Sequence, residues 1–224
     1  MPIIDMSLDS DTLAAKITSS VDQIADGIGN CEVGEIYVVG SADDFDEISA
    51  PLIARLPNVI GSACIWAKLR PSRIYPTTVD VIITGNYIEP GRDGCTLVLC
   101  QSVVALPEQI IAAASQVLET FKASQVVLAA VNIAPSARAK LMRYFNEHYG
   151  IGARFVTLED HPVSVSPLSL HHTFVDLIDN RPKRDFPVMP EWVLDRIKGN
   201  GESDRRGLEV MALPKLDCHP VKRI

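Results

Sequence analysis

The 224-residue sequence lacks the features that mark several large classes of protein. No apolar run approaches the roughly 18 to 20 residues of a membrane-spanning helix, and the first residues do not form a secretory signal. Positive charge is in deficit, and a net charge of −7 argues against binding nucleic acid through broad phosphate neutralisation. The five cysteines are scattered without a CxxC pair, which favours a reducing, cytoplasmic compartment with buried free thiols. We therefore expect no membrane and no nucleic-acid partner.

Alternating strand and helix patterns occupy the first 160 residues. Continuous apolar runs predict strands at 35–40, 59–66, 79–83, 96–100, 124–131 and 153–157. Apolar residues at helical spacing predict helices at 10–27, 48–56, 107–122 and 135–149, the last ended by Gly150. Strands that are apolar throughout and separated by helices indicate an α/β fold, with a mostly parallel sheet and helices on both faces.

The composition changes near residue 160. We assign residues 1–160 to the α/β core, with residues 1–30 as an N-terminal helix, and residues 161–224 to an irregular, proline-rich C-terminal extension. Within it, residues 191–198 are predicted to form a short helix that carries Trp192. This extension either packs on the core or serves as an interaction arm for a protein partner.

The loop after the strand at 96–100 lies where open α/β sheets bind ligands, at the carboxyl end of a central strand. Its sequence is Gln101-Ser-Val-Val-Ala-Leu-Pro-Glu-Gln109, without glycine. A phosphate loop uses glycine to approach the anion closely and points free main-chain N–H groups at it. Since Pro107 also lacks an N–H, this loop is poorly suited to an ordinary phosphate site.

Three segments resemble the uracil phosphoribosyltransferase branch of the type I phosphoribosyltransferase fold. The first is Tyr37-Val-Val-Gly-Ser-Ala42, followed by a helix and then Leu56-Pro-Asn-Val-Ile-Gly-Ser-Ala-Cys-Ile-Trp66. The second is Cys95-Thr-Leu-Val-Leu with the loop 101–109, where the family has its diphosphate-sugar motif. The third is Gly199-Asn-Gly-Glu-Ser-Asp-Arg205, which is similar to the family's uracil-side loop. The resemblance implies a nucleobase or nucleotide ligand and a homo-oligomer, and we predict neither a cofactor nor a metal site.

Candidate ligand-binding residues follow from the positions of these motifs and of the basic cluster after Trp66. They are Ser41, Ala42, Lys68, Arg70, Arg73, Gln101, Ala105, Leu106, Pro107, Glu108, Gln109, Gly201, Glu202, Asp204 and Arg205.

Several of these positions have a second interpretation without a ligand. Asp43 and Asp44, after the first strand, favour helix capping over diphosphate binding. The basic cluster is equally consistent with a solvated loop. Residues 86–94 favour a turn between strands, and residues 199–205 favour a solvated segment. Cys100 ends a buried strand and is predicted to be a packed thiol.

The departures from the family pattern decide the predicted function. Gln101 replaces the acidic residue that holds the ribose hydroxyls, and Glu108 would place a negative charge beside the phosphate. We therefore predict a non-catalytic phosphoribosyltransferase-like protein that acts as a binding, structural or regulatory subunit. Two alternatives stay open: an active phosphoribosyltransferase or other enzyme on a nucleobase or nucleotide with a remodelled pocket, and an unrelated flavodoxin-like α/β enzyme.

Overall fold

Seven strands and five α-helices alternate along the part of the chain that the computed structural model describes, residues 10–71, 79–160 and 189–199. The elements are α1 (Ser10–Gly29), β1 (Ile36–Ser41), a π-helical turn (Phe45–Ser49), α2 (Ala50–Arg55), β2 (Val59–Pro71), β3 (Val79–Ile88), β4 (Thr96–Cys100), β5 (Val103–Val104), α3 (Glu108–Leu118), β6 (Gln125–Ile133), α4 (Pro135–Tyr149), β7 (Ala153–Asp160) and α5 (Glu191–Gly199).

The strands form one mostly parallel sheet. Its order is β3-β2-β1-β4-β6, with β7 on the far side of β6 and the short β5 beside the last residues of β6. Every pairing is parallel except that of β2 with β3. The central strands β4 and β6 are apolar on both faces because helices cover both sides of them. The predicted α/β fold is therefore confirmed.

Alternate residues of β1 belong to two different helical layers. Tyr37 and Val39 lie in a core with α3 and α4, whereas Ile36 and Val38 lie in a core with α1 and α2. The boundaries of α4 follow directly from the sequence, since Pro135 occupies its first turn and Gly150 ends it in a left-handed conformation with φ of 65°. Among the described residues, no helix has both the length and the hydropathy needed to cross a membrane.

The strands β2 and β3 are longer than the sequence predicts. We expected β2 to end at Trp66, with a basic loop after it, but β2 runs to Pro71 and pairs antiparallel with β3. Ala67 pairs with Ile83 and Leu69 with Val81, so apolar side chains alternate with Lys68 and Arg70. The sequence prediction missed this part of the strand because its charged residues are typical of a loop. In a two-stranded ribbon one face can be solvated, so every second residue can carry a charge.

Three smaller expectations also differ from the structure. The turn expected at 86–94 is shorter, because β3 continues to Ile88 and the turn itself is at Asp93 and Gly94. Helix α3 ends at Leu118 rather than at residue 122. The loop 101–109 contains β5, which pairs Val103 with Asn132 and Val104 with Ile133. Two residues are too few to leave a strand pattern in the sequence.

Gly40 provides a test of the packing between β1 and the π-turn. A Cβ at Gly40 would lie 2.8 Å from the Ser49 Cβ and 2.9 Å from the Phe45 ring, and would overlap the Ser49 hydroxyl. Gly40→Ala should therefore lower the free energy of unfolding by about 1 to 3 kcal/mol, because neither neighbour can move without disturbing the core. Denaturant unfolding measures this change.

The matched control is Gly34→Ala. A Cβ at Gly34 would meet nothing within 4 Å. This substitution should change the free energy of unfolding by no more than about 0.5 kcal/mol. Equal effects of the two substitutions would contradict the described packing.

Candidate functional site

The carboxyl ends of β1, β2 and β4 enclose a small cavity beneath the first turns of α3. Ser41, Ile65, Ala67 and Gln101 line it from the sheet, and Gln109 and Ile110 line it from the helix. The space in it that the centre of a water molecule can occupy is about 20 Å³. A space of this size holds about one water molecule.

Two buried glutamines fill the rest of this region. The Gln101 side-chain amide donates to the Gln109 side-chain carbonyl at 3.3 Å, and Gln109 Nε2 donates to the Ala67 main-chain carbonyl at 3.1 Å. The two residues are only 5% and 4% exposed. The hydrogen bonds therefore join the residue after β4, through α3, to β2, and all three residues line the cavity.

The main-chain N–H groups at the start of the loop 101–107 already have acceptors. The Gln101 N–H donates to the Ala129 carbonyl at 3.2 Å, and the Ser102 N–H donates to Asp44 Oδ2 at 2.6 Å. Pro107 has no N–H to donate. On the opposite side, the Val131 and Asn132 N–H groups both donate to the Ser102 carbonyl. The loop is thus held against β6 and the β1 loop.

Asp44 is a buried acidic residue in the loop between β1 and the π-turn. Its side chain is completely buried, and its second oxygen, Oδ1, has no partner of hydrogen-bond geometry among the described residues. Burial raises the pKa of Asp44 to about 7, and the hydrogen bond from Ser102 opposes that rise. A buried carboxyl of this kind holds the loops together and is not free to cap a helix.

The capping expectation for Asp44 is therefore wrong. Asp44 precedes the π-turn but makes no side-chain cap hydrogen bond to it. Its partner, Ser102, is 58 residues away in the sequence, so local spacing gave no signal for this contact.

Asp46, which the sequence analysis did not single out, caps helix α5. Its Oδ2 accepts from the Glu191 N–H at 2.8 Å, and its Oδ1 accepts from the Trp192 N–H at 3.2 Å. These are first-turn N–H groups of α5, which have no acceptor within their own helix. A carboxylate in that position also interacts favourably with the helix dipole. Asp46 thus ties the C-terminal extension to the core.

Two thiols lie on either side of β1 in the same row of the sheet. Cys64 and Cys100 both pair with Gly40 in register, and both are buried. Burial raises the pKa of each thiol well above its ordinary value. A protonated, enclosed thiol is not a nucleophile, which agrees with the predicted packed role of Cys100.

The structure separates the predicted site residues into distinct places. Ser41, Gln101 and Gln109 meet at the cavity. Ala42 donates its N–H to the Ile65 carbonyl at 3.0 Å and is buried beside Phe45. Since they alternate with Ala67 and Leu69, Lys68 and Arg70 are on the other face of the β2–β3 ribbon, and both are exposed.

The remaining loop residues point away from the cavity or into the core. Glu108 Oε1 is 2.6 Å from Lys140 Nζ on α4, so its charge is directed toward that helix. Ala105 belongs to the core with α1 and α2, Pro107 is buried, and Leu106 is partly exposed.

Several predictions fall outside the described residues. Arg73, Gly201, Glu202, Asp204 and Arg205 are among them, so their place relative to the cavity stays a prediction. Within residues 10–71, 79–160 and 189–199, no three His, Cys, Asp or Glu side chains come close enough together to hold a metal ion.

No protein-family model and no curated protein sequence matches the chain. Several solved structures are similar to it. The protein TT1426 from Thermus thermophilus is 13% identical with a TM-score of 0.50, and the alignment covers 68% of this chain and 87% of TT1426. At this identity the similarity concerns the fold alone.

Two phosphoribosyltransferases are among the similar structures. A hypoxanthine-guanine phosphoribosyltransferase from Bacillus anthracis is 15% identical with a TM-score of 0.48, over 68% of this chain and 82% of that one. The adenine phosphoribosyltransferase from Thermoanaerobacter pseudethanolicus is 13% identical with a TM-score of 0.43, over 67% and 86% of the two chains. These scores carry no conclusion about activity or substrate.

The pH dependence of stability tests the burial of Asp44. Between about pH 4 and pH 7 the native carboxyl binds a proton that the unfolded chain has released, so stability falls as the pH rises through this window. A rise of about three pKa units corresponds to about 4 kcal/mol. From pH 4 to pH 8 the free energy of unfolding should therefore fall by up to about 4 kcal/mol more in the native chain than in Asp44→Asn.

Denaturant unfolding at a series of pH values measures the difference. Asp43→Asn is the matched control, because Asp43 is adjacent in sequence but exposed. Its charge is the smallest of the causes that raise the pKa of Asp44, so this variant should keep most of the pH dependence of the native chain. Parallel curves for the native chain and Asp44→Asn would show that Asp44 titrates normally in the folded protein.

Proposed function

We propose that this chain is a phosphoribosyltransferase-like protein that does not transfer phosphoribosyl groups and acts as a binding, structural or regulatory subunit. The observation that carries the proposal is that the first main-chain N–H groups of the loop between β4 and α3 already have acceptors within the chain. The loop's first two N–H groups donate to Ala129 and Asp44, and its position before α3 is a proline.

A phosphoribosyl diphosphate ligand would have to break interactions that the chain makes with itself. It would compete with the Asp44 carboxylate for the Ser102 N–H, and the two anions would repel each other in a buried site. It would also separate Gln101 from Gln109, leaving buried amide groups without partners, which costs roughly 1 to 3 kcal/mol for each group.

The sequence resemblance and the strand order support the family part of this proposal. Parallel β1, β2, β4, β6 and β7, with helices on both faces, supply the scaffold on which that family builds its sites at the carboxyl edge. The uracil branch, the homo-oligomer and a protein partner for residues 161–224 stay predictions. Stoichiometric co-purification of another chain that is lost on deleting residues 200–224 would support the interaction arm.

Calorimetry with phosphoribosyl diphosphate, uracil, adenine, hypoxanthine and UMP tests the non-catalytic function. We expect no binding at micromolar ligand concentrations and no release of diphosphate when phosphoribosyl diphosphate and a base are combined, since the Ser102 N–H is already bonded to Asp44 and Pro107 has no N–H. An active phosphoribosyltransferase measured in parallel is the positive control.

Two results would replace the proposal with the enzymatic alternative. One is diphosphate release that depends on the added base. The other is micromolar binding of a nucleotide that Gln101→Ala weakens, since Gln101 lines the cavity. A flavin or nucleotide that absorbs in the purified protein would instead favour the flavodoxin-like alternative.

A further inference from the structure

Helix α5 is attached to the core at one small area beside the π-turn. Asp46 accepts the first N–H groups of the helix, and the Trp192 ring lies 5.1 Å from the Phe45 ring and 6.1 Å from the Tyr87 ring. Val193 is 1% exposed and packs with Ala42, Phe45, Cys64 and Tyr87. The attachment is therefore specific in both its polar and its apolar parts.

A second polar contact holds the other end of α5. Arg196 stacks on Trp192, with its guanidinium carbon 4.8 Å from the ring centroid, and lies 3.8 Å from Glu89 Oε1. Glu89 is itself fixed by the Ser62 N–H and hydroxyl, both at 2.9 Å. The helix is thus anchored to the π-turn at its start and to the end of β3 farther along.

Helix α5 is either docked and folded or undocked and unfolded. Nine residues are too few for a stable isolated helix in water, so α5 forms only when it is docked, and undocking and unfolding are one event. Since a C-terminal segment can undock without breaking the sheet, this transition is local.

The π-turn connects α5 to the loop between β4 and α3. Asp46, which holds α5, is two residues from Asp44, which holds the Ser102 N–H. Phe45, which lies between these two aspartates, and Ser49, which follows them, pack against Gly40 of β1. The Ala50 N–H donates to the Phe45 carbonyl five residues earlier, which is the π-helical pattern. Single π-turns of this kind are frequent at functional positions.

We propose that α5 is a latch that keeps the loop 101–107 closed. When α5 is docked, it holds Asp46 and Phe45, and through them the position of the Asp44 carboxylate on the Ser102 main chain. When α5 leaves, the π-turn loses its packing partners Trp192 and Val193, and the bond between Asp44 and Ser102 opens more often. The C-terminal extension then controls the accessibility of the loop where the family binds its sugar diphosphate.

Amide hydrogen exchange, measured residue by residue by NMR in the full chain, tests the latch. Trp192→Ala removes the ring that contacts Phe45 and Tyr87, and Val193→Asp places a charge in a buried position, so α5 cannot dock. In both variants we expect the Ser102 N–H to exchange about tenfold faster or more, together with the N–H groups of residues 191–199. The N–H groups of β4 and β6 should stay as protected as in the native chain.

Leu194→Ala is the matched control, because Leu194 lies on the same helix but is 37% exposed. It should leave α5 docked and change Ser102 exchange by less than about twofold. Asp44→Ala, which removes the acceptor of the Ser102 N–H, gives the complementary result: faster exchange at Ser102 with α5 still protected.

Two outcomes would overturn the latch. In the first, α5 is released while Ser102 exchanges as slowly as in the native chain, so the two sites are not coupled. In the second, release of α5 also exposes β4 and β6, which makes α5 a part of the core and not a separable element.

Discussion

The hydrogen bond from the Ser102 main chain to the buried Asp44 carboxylate is the contact on which the candidate site depends. It joins the loop after β1 to the loop after β4, the two loops that form the carboxyl edge at the centre of the sheet. A buried carboxylate is tolerated only where donors face it, so the position of Ser102 and the presence of Asp44 constrain each other. The pKa of Asp44, raised to about 7 by burial, reflects how little solvent reaches this contact.

The same contact occupies a main-chain donor of the loop after β4. In a phosphate-binding loop the main-chain N–H groups wait for an external anion. Here the chain supplies its own acceptor, the Asp44 carboxyl, and its own amide pair, Gln101 with Gln109. The Asp44 Oδ1 atom and the Ser102 hydroxyl are buried without a partner among the described residues, and the small cavity nearby, about 20 Å³, is one that water can fill. At this edge of the sheet, the Gln101 and Ser102 N–H groups are therefore bonded within the chain itself.

The C-terminal helix completes the layer that begins with α1 and α2. Val193 of α5 packs in one cluster with Phe45 of the π-turn and with Cys64 and Tyr87 of β2 and β3. The first N–H groups of α5 are capped by Asp46, a residue 145 positions earlier, so the docked helix is joined directly to the π-turn. Within residues 189–199, the extension therefore contacts the π-turn, whose preceding residue Asp44 binds the predicted ligand loop.

The sequence by itself determined the elements whose signals are local. Pro135 and Gly150 set the ends of α4, and the apolar run at Thr96–Cys100 set a central strand. From Pro107 and the absence of glycine the sequence also predicts that the loop 101–109 is poorly suited to a phosphate, and this stays a prediction. Only the tertiary structure decided the partners of Asp44 and Asp46 and the direction of Lys68 and Arg70. Those depend on hydrogen bonds and strand pairing between residues that are distant along the chain, and such contacts leave no periodic pattern in the sequence.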